Sequence, residues 1–332
     1  MRLAMRPGYP GRIHPTIPAR APVESQSTTN SNSVNFGMPL TPRERIAYQA
    51  IIDRPPLKLP DGIRMPVWLI VNVEHWDARR PMPRTVLPPP MGTPLLPDIP
   101  NWSWHEYGMR VGFWRIYESL KSRRIVPTLA TNGSVCEVYP RVVQAAHEAG
   151  WELMGHGWLQ GPMHNLEDQR LSVRRTIEAL SRISGKAPVG WESPGLTETA
   201  DTADILAEEG IRYVADWVLD DLPCELKTTA GPLVTLPYTV EINDVAIMAV
   251  AQHSSAELLE RGMRQFDRLY AESAVSPRIM SISVHPYLSG VPHRIGYLEQ
   301  LLDYIASHAG AVFWSGERIL DWYVSARTGA QA

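Results

Sequence analysis

Three side chains of this 332-residue chain have the chemistry to move protons or to hold a metal ion: Glu74, His156 and His285. Each ends a strongly apolar stretch, in the sequences VNVEHWD, ELMGHGW and SISVHPY. A carboxylate serves as general base or metal ligand, and imidazole titrates near neutral pH and also binds metals. Each residue alone would more often be a satisfied buried polar group. A functional site is therefore predicted only if the fold brings all three together.

The elements that must position them alternate regularly after residue 60. The predicted strands, separated by helical patterns, are PVWLIVNVE, IVPTLATN, WELMGHG, PVGWESPG, RYVADWVLDD, LVTLPYTVEIN, RIMSISVHPYL and AVFWSGERILDWY. This alternation predicts an α/β fold with a parallel sheet, and the number of units favours a closed or nearly closed barrel. In such a barrel catalytic residues lie at the carboxyl ends of the strands, where these three come.

Two proline-rich segments stand apart from the predicted barrel at 61–325. Residues 1–60 hold ten prolines and the polar run ESQSTTNSNS, which predicts an arm that is partly irregular or packs on another subunit. Residues 77–104 hold eight prolines and follow the first strand. A loop of this length predicts a lid over the site, with a solvent-exposed insertion as the alternative.

Composition excludes several classes of partner. The net charge is -3, with 35 acidic and 32 basic residues, so neither nucleic acid nor an anionic membrane is expected as a partner. The two cysteines, Cys136 and Cys224, make no disulfide framework and no zinc pattern, which suits a reducing compartment. No apolar run has the length of a signal peptide core or a membrane span. We therefore expect a cytoplasmic protein.

The order of the units and several motifs resemble the polysaccharide deacetylase (NodB-homology) superfamily, and within it the allantoinase and cyclic-imide-hydrolase branch. The motifs are VNVEHWD, HEYGMRVGFWR, GHGW, GWESPGLTET, DWVLDDLP, LPYTVEIND, QFDRLY and SISVHPYLSGVPHR. The resemblance covers nearly everything after residue 60. It implies an irregular (β/α) barrel of seven or eight parallel strands and a hydrolase of carbon–nitrogen bonds other than peptide bonds.

Two departures from the family pattern affect the mechanism. Metal-dependent members have an aspartate base and, two residues on, an aspartate ligand, where this chain has Asn72 and Glu74. They have two histidines four residues apart where this chain has His156 and Gln160. Asparagine cannot accept a proton at neutral pH, and a glutamine oxygen is a poor zinc ligand. The usual Asp-His-His zinc centre is therefore not expected, although His164 could replace the missing histidine.

One mechanism keeps a metal ion. Glu74 and His156, with Gln160 or His164, would hold a single divalent ion, Zn or Mn, that polarises the carbonyl and lowers the pKa of a bound water. His285, at the family's last histidine motif, would protonate the leaving nitrogen as general acid.

The other mechanism needs no metal, as the Asn-x-Glu pattern of the allantoinase branch implies. Glu74 would be the general base, with its pKa raised by apolar walls such as Trp68 and Trp158. His156 would orient the water or stabilise the oxyanion, and His285 would again be the acid.

Other side chains near the same strand ends are predicted to contact the substrate, and each has a structural alternative such as helix capping or core packing. They are Asn72, His105, Tyr107, Asn132, Trp158, Pro194, Tyr238 and Trp314.

The leading hypothesis is a hydrolase that cleaves a non-peptide C–N bond in a small cyclic amide, imide or ureide. A carbohydrate N-deacetylase is the first alternative. A non-catalytic binding protein is the second, because two motif residues of the superfamily are missing. We expect a small-molecule substrate. The proline-rich arm and the resemblance favour a homo-oligomer, either a dimer or a tetramer.

Overall fold

The computed structural model describes residues 39–55 and 57–330, so most of the predicted arm lies outside the described residues. In the described part the strands are β1 (Met65–Val73), β2 (Thr128–Thr131), β3 (Glu152–Gly155), β4 (Gly190–Trp191), β5 (Tyr213–Val214), β6 (Cys224–Thr228), β7 (Gly231–Thr235), β8 (Met280–Val284) and β9 (Ala311–Phe313). The helices are α1 (Pro42–Arg45), α2 (Ile99–Tyr107), α3 (Phe113–Arg123), α4 (Val135–Val138), α5 (Pro140–Glu148), α6 (Gln169–Ser184), α7 (Thr202–Glu208), α8 (Ala256–Glu272), α9 (Ile295–Ala306) and α10 (Gly316–Ala330). Among these described elements, no helix is both long enough and apolar enough to cross a membrane.

The strands form one mostly parallel sheet. Their order is β6-β7-β5-β4-β3-β2-β1-β8, and β9 pairs with β1. Every pair is parallel except β6 with β7, which confirms the predicted α/β fold. The antiparallel strand β6 was not predicted, because its sequence CELKT has few apolar residues and alternates between buried and exposed positions. Within the described residues no pairing joins β6 to β8, so the pairings do not establish closure of the barrel.

The central strand β1 separates two parts of the core. Its odd-numbered residues pack in one cluster with side chains of α3, α5, α8 and α9. Trp68 and Ile70 pack in another cluster with side chains of β2, β3 and β5. Successive side chains of a strand point to opposite faces, so Asn72 and Glu74 point to the same side as Trp68 and Ile70. The candidate carboxylate therefore faces the interior enclosed by the sheet.

The described end of the predicted arm packs on the same chain. Arg45 is buried, and its guanidinium lies 2.6 Å from Oδ2 of Asp204 and 2.6 Å from the carbonyl oxygen of Ala200. Further on, Trp322 donates its indole N–H to the carbonyl of Lys58 at 2.8 Å. Whether the arm also contacts another subunit depends on residues 1–38, which lie outside the described part of the chain.

The predicted lid segment is irregular only up to Asp98, because α2 begins at Ile99. The side chain of Asn101 holds the segment to this helix: it accepts the main-chain N–H of Val86 at 2.7 Å and of Leu87 at 3.0 Å. A lid function for this loop stays a prediction. α2, a π turn at Gly108–Gly112 and α3 follow one another directly.

Candidate active site

The register of the parallel strands places four polar residues in one row at the carboxyl edge of the sheet. Val73 pairs with Thr131, and Thr131 pairs with Gly155. Gly155 pairs in turn with Trp191. The residues that follow these four positions are Glu74, Asn132, His156 and Glu192. Neighbouring strands are about 4.8 Å apart, so side chains adjacent in this row can touch one another or a shared ligand.

Glu74 is 4% exposed and lies between two imidazoles. The indole N–H of Trp76 donates to its Oε2 at 2.7 Å. Its Oε1 lies 3.9 Å from Nε2 of His156 and 3.6 Å from Nε2 of His285. Burial by itself raises the pKa of Glu74, but the two imidazoles more than offset this and lower that pKa to about 2. Glu74 is therefore an ionised carboxylate at neutral pH.

The expectation that apolar walls raise the pKa of Glu74 is wrong, and the two tryptophans proposed as walls lie elsewhere. Trp68 donates its indole N–H to the hydroxyl of Thr128 at 2.8 Å and packs in the core. The ring of Trp158 packs against the guanidinium of Arg175, which is 3.8 Å from the ring centroid. The aromatic side chain beside the carboxylate is Trp76, and it offers a hydrogen bond that favours the charged form.

His285 is held by a buried carboxylate, Asp244. Nδ1 of His285 lies 2.6 Å from Oδ1 of Asp244, whose side chain is fully buried. Oδ2 of Asp244 accepts the main-chain N–H of His285 at 2.7 Å and the hydroxyl of Ser289 at 2.6 Å. Burial lowers the pKa of His285, but Asp244 and Glu74 outweigh burial and raise that pKa above its usual value. The imidazole is thus fixed with Nδ1 donating and Nε2 toward Glu74.

His156 is fixed by main-chain contacts. Its Nδ1 lies 2.7 Å from the carbonyl oxygen of Glu192, which can only accept, so Nδ1 carries a proton. Burial lowers the pKa of His156, but Glu74 and Glu192 raise it above its usual value overall. The next residue, Gly157, has φ 73°, and a Cβ there would lie 2.9 Å from Cγ of Pro194. Pro194 is buried and helps to set the turn of the chain beyond His156.

Asn132 ties three strand ends together. Its Oδ1 accepts the main-chain N–H of His75 at 2.8 Å, and its Nδ2 donates to the carbonyl of His156. Nδ2 also lies 3.3 Å from Oε1 of Gln160. These bonds use its polar atoms within the protein, so Asn132 positions Glu74 and His156 and is not free to contact substrate as predicted.

An aromatic cluster closes the other side of Glu74. Trp76 stacks on His105, with ring centroids 4.4 Å apart, and also contacts Tyr287 at 5.2 Å. Burial lowers the pKa of His105 to about 4, so this ring is neutral. The π turn that follows α2 brings Gly112 so close that a Cβ would collide with the carbonyl of Pro286. This contact between backbones fixes His105 beside the segment that carries His285.

The remaining predicted contact residues have different outcomes. Asn72 is buried and donates to the hydroxyl of Ser283 at 2.7 Å, while its Oδ1 has no partner among the described residues. Tyr238 is buried, and its hydroxyl lies 2.9 Å from the same Ser283 oxygen. Tyr107, at the end of α2, is 37% exposed, and nothing in the structure directs it toward Glu74.

The prediction that Trp314 contacts substrate is wrong. Phe313 pairs with Val67, so Trp314 lies beside Trp68, in the core. Glu74 lies six positions after Trp68. With a rise of about 3.3 Å per residue, the two are roughly 20 Å apart along the strand. The last strand was predicted to end at the same edge as the others, but its register on β1 places its carboxyl end near the amino-terminal end of β1.

The described residues do not complete the predicted metal site. Glu74 and His156 face each other, but Gln160 lies against Asn132, and His164 is exposed on a turn. Among residues 39–55 and 57–330, no three His, Cys, Asp or Glu side chains are grouped as metal ligands. Two donors with a distant third do not fit a closed three-ligand zinc site.

Two residues of the site were missed as functional candidates. Asp244 ends the motif LPYTVEIND, where a carboxylate after an apolar segment was the available signal. Trp76 follows Glu74 by two residues, and its indole donor could have been anticipated from that spacing. Glu192 was placed at a strand end but given no role, although its side chain is 4% exposed. Burial raises the pKa of Glu192 to about 7, with His156 acting in the opposite direction.

A cavity of about 730 Å³ lies away from these residues. It is lined by side chains of the N-terminal segment, β6 and α10, among them Ile46, Arg54, Leu57, Cys224 and Tyr323. None of the polar residues at the strand ends lines it, so it is separate from the candidate active site.

Comparison with known proteins agrees with this geometry. Residues 104–214 match the family model for polysaccharide deacetylase. A protein of Schizosaccharomyces pombe named as a polysaccharide deacetylase is 28% identical over 237 residues, which cover 65% of this chain and 74% of that protein. The crystal structure of PuuE allantoinase matches with a TM-score of 0.74 and 26% identity, over 86% of this chain and 98% of the allantoinase.

A protein of Pseudomonas aeruginosa PAO1, described from its crystal structure as a polysaccharide deacetylase, matches equally well. Its TM-score is 0.74 with 26% identity, over 82% of this chain and 95% of that protein. The matched segment 104–214 spans β2 to β5, which carry Asn132, His156 and Glu192. Residues 104–214 therefore form a polysaccharide deacetylase domain, and the chain is a hydrolase of carbon–nitrogen bonds other than peptide bonds.

Proposed function

We propose that this protein hydrolyses a C–N bond in a small cyclic amide, imide or ureide. The observation that carries the proposal is the burial of the chemical groups: Glu74, His156 and His285 are 4%, 2% and 6% exposed. A polysaccharide chain needs an open groove, whereas a small ring can be enclosed in a buried site. The likeness to PuuE allantoinase and the flat aromatic rings of Trp76 and Tyr287 beside the carboxylate support a small planar substrate.

Glu74 is the proposed general base. Its ionised carboxylate takes a proton from a water molecule, whose oxygen attacks the ring carbonyl carbon to give a tetrahedral intermediate. A carboxylate with a pKa near 2 is a weak base while both imidazoles are charged. Loss of a proton from His285 removes part of the charge that lowers this pKa. The proton that Glu74 took from water then passes to Nε2 of His285, 3.6 Å from Oε1 of Glu74, and this restores the starting protonation states of both residues.

His285 is the proposed general acid. It transfers the Nε2 proton to the ring nitrogen, the C–N bond breaks, and the products are a carboxyl group and an amine or amide nitrogen. Asp244 and Glu74 raise the pKa of His285 against the effect of burial, which favours the protonated form that an acid needs. Asp244 holds the ring in place and stabilises its charge through the 2.6 Å contact at Nδ1.

His156 is the proposed electrophile at the developing oxyanion. Its Nδ1 is committed to the carbonyl of Glu192, and its Nε2 has no partner among the described residues. A protonated Nε2 can donate to the carbonyl oxygen of the ring as negative charge builds there. His156 thereby acts on the oxygen while Glu74 and His285 act on the water and the nitrogen.

A carbohydrate N-deacetylase is the second candidate function. The family match over residues 104–214 and the names of two relatives favour it. The same proton transfers would cleave an acetamide C–N bond.

The test is turnover of a substrate panel by the purified protein. The panel holds cyclic imides, hydantoins, dihydropyrimidines and N-acetyl sugars, and the matched variant Glu74→Gln serves as control. The proposal expects hydrolysis of at least one ring class and a loss of at least about a hundredfold in the variant. Hydrolysis of N-acetyl sugars alone would establish the second candidate. Turnover that is equal in the variant would contradict the proposed base.

Three further expectations remain proposals. A single Zn or Mn ion is the alternative to the metal-free mechanism, with Glu74 and His156 as two of its ligands. The protein is proposed to act in the cytoplasm on a small molecule, without nucleic acid or membrane as partner. It is proposed to form a dimer or tetramer, which sedimentation analysis of the full chain measures directly.

A further inference from the structure

Oδ2 of Asp216, two residues after β5, is a buried polar atom without a hydrogen-bond partner among the described residues. Three more such atoms lie at the ends of β1, β3 and β4. They are Oδ1 of Asn72, Nε2 of His156 and Oε2 of Glu192. The three residues are only 1%, 2% and 4% exposed. A buried polar atom without a partner costs about 1–3 kcal/mol, so such atoms usually bond to water or to a ligand. Together they mark the polar surface of a binding site.

Glu192 belongs to this site by register. It follows Trp191, which pairs with Gly155, so it stands directly beside His156 at one strand spacing of about 4.8 Å. Its main-chain N–H donates to the carbonyl of Gly155 at 2.9 Å, and its own carbonyl accepts from His156 at 2.7 Å. The backbone of Glu192 is thus fixed at both ends, and its side chain is held next to His156.

The two acceptor atoms require a donor from the ligand. Oδ1 of Asn72 accepts hydrogen bonds, and so does Oε2 of Glu192 when its carboxyl group is ionised. A buried acceptor without a partner is satisfied by an N–H or O–H group. In the proposed reaction the ring carbonyl faces His156 and the leaving nitrogen faces His285. In the row of strand ends, His156 lies between Glu74 and Glu192. The substrate group that contacts Glu192 therefore belongs to a part of the ring that does not react.

We propose that Glu192 is a specificity-determining residue whose free carboxyl oxygen accepts an N–H of the substrate ring other than the nitrogen that is released. The inference rests on the proposed function and narrows it. Rings with a second N–H, such as cyclic ureides of the hydantoin or dihydropyrimidine type, satisfy Glu192. A simple imide has a single N–H, which belongs to the scissile bond, and leaves Glu192 without a partner.

The substrate pair that tests this is a hydantoin or dihydropyrimidine and its counterpart methylated at the non-reacting nitrogen. A site built to bind a substrate N–H discriminates strongly against an analogue that lacks it, because its buried acceptor is left unpaired. We expect kcat/KM of the wild-type enzyme to fall about ten- to a hundredfold on methylation. In Glu192→Leu, kcat/KM for the N–H ring should fall to a similar extent, and the difference between the two rings should shrink below about threefold.

The variant Glu198→Gln is the matched control. Glu198 is a second, partly buried carboxyl six residues on, but its Oε1 already accepts the indole N–H of Trp217 at 3.0 Å. The Glu198→Gln enzyme should discriminate between the N–H ring and the N-methyl ring as the wild type does. If Glu192 acted only through the charge of His156, Glu192→Leu would slow both rings equally and keep the discrimination.

Each result has one meaning. Equal rates of the wild type on the N–H and N-methyl rings would overturn the role of Glu192 while leaving the proposed function intact, and this holds even if Glu192→Leu does not fold. Unchanged discrimination in Glu192→Leu would overturn it as well. Failure of the wild type to hydrolyse any ring would refute the proposed function and with it the inference.

Discussion

Replacement of Asp244 by asparagine removes one charge from a fully buried position and leaves the shape nearly unchanged. The Asp244 carboxylate accepts three hydrogen bonds. Two come from His285, through Nδ1 at 2.6 Å and the main-chain N–H at 2.7 Å, and one comes from the hydroxyl of Ser289 at 2.6 Å. An asparagine has one acceptor oxygen, so its NH₂ group must face at least one of these donors. The imidazole of His285 then loses its partner or changes tautomer.

The expected loss of stability follows from the number of hydrogen bonds that the Asp244 carboxylate accepts. Hydrogen bonds to a charged group contribute about 1.5–3 kcal/mol each, so loss of one and a new contact between donors should lower the free energy of unfolding by about 2–4 kcal/mol. Loss of a correctly placed general acid typically lowers the rate by 10²–10⁴-fold. We therefore expect kcat/KM of Asp244→Asn to fall by roughly that factor.

The pH dependence gives a sharper test than the rate alone. Asp244 and Glu74 raise the pKa of His285 against the effect of burial. A general acid must be protonated, so activity is lost as pH rises through this pKa. Without the charge of Asp244, burial has more weight and the pKa falls. The alkaline limb of the kcat profile should therefore move to lower pH in Asp244→Asn.

The assay is steady-state hydrolysis of the best ring substrate across pH, with urea denaturation to measure stability. Ser289→Ala is the matched control, since it removes one donor to the same carboxylate and keeps the charge. It should lose about 1.5–3 kcal/mol of stability, the contribution of one hydrogen bond to a charged group, and keep the alkaline limb of the wild type. An Asp244→Asn enzyme within threefold of wild-type activity, with an unmoved alkaline limb, would refute the role given to the Asp244–His285 pair.

Further predictions concern the carboxylate, the close backbone contact and the metal. Glu74→Gln should lower kcat by at least about a hundredfold while circular dichroism stays unchanged, since a side-chain oxygen can still accept from Trp76; activity above a tenth of wild type would argue against Glu74 as base. Glu74 has its pKa lowered from 4.5 to about 2, so it contributes stability that is present above pH 4.5 and is lost as pH falls toward 2. Acid unfolding followed by fluorescence should show a weaker dependence on pH over this range in Glu74→Gln, and an identical dependence would contradict the shift. Gly112→Ala should lower the free energy of unfolding by about 1–3 kcal/mol, because its Cβ would meet the carbonyl of Pro286, whereas Gly296→Ala, with only Gln300 Nε2 at 3.9 Å, should not destabilise the protein. Metal analysis of protein purified without chelator separates the two mechanisms: one tightly bound Zn or Mn per chain favours the metal alternative, and substoichiometric metal with full activity contradicts it.

The parts of the site that sequence could predict are those at strand ends. Glu74, His156 and His285 each follow an apolar strand, and parallel strands place their carboxyl ends at one edge. The same reasoning failed for Trp314, because the pattern of apolar residues does not reveal where along β1 the last strand pairs. The register of β9 on β1 depends on contacts between residues far apart in the chain, such as Val67 with Phe313, and not on local sequence.

The pKa shift of Glu74 could not be predicted from the sequence, for a related reason. The sign of the pKa shift of Glu74 depends on two imidazoles less than 4 Å from its Oε1, and that distance follows from the register of three strands. Asp244 reaches His285 from a loop 41 residues earlier in the chain, a pairing without local signal. The strand β6 was not predicted because exposed polar residues alternate with buried ones in CELKT, so the sequence lacks the apolar run expected of a buried strand.

The most direct test is a crystal structure of the Glu74→Gln variant with a bound ring substrate. The ring should lie among His156, His285 and Glu192, with the scissile nitrogen within about 3.2 Å of Nε2 of His285. A ring bound instead in the 730 Å³ cavity beside Cys224, or bound at the strand ends with His285 turned away from it, would contradict the proposed chemistry.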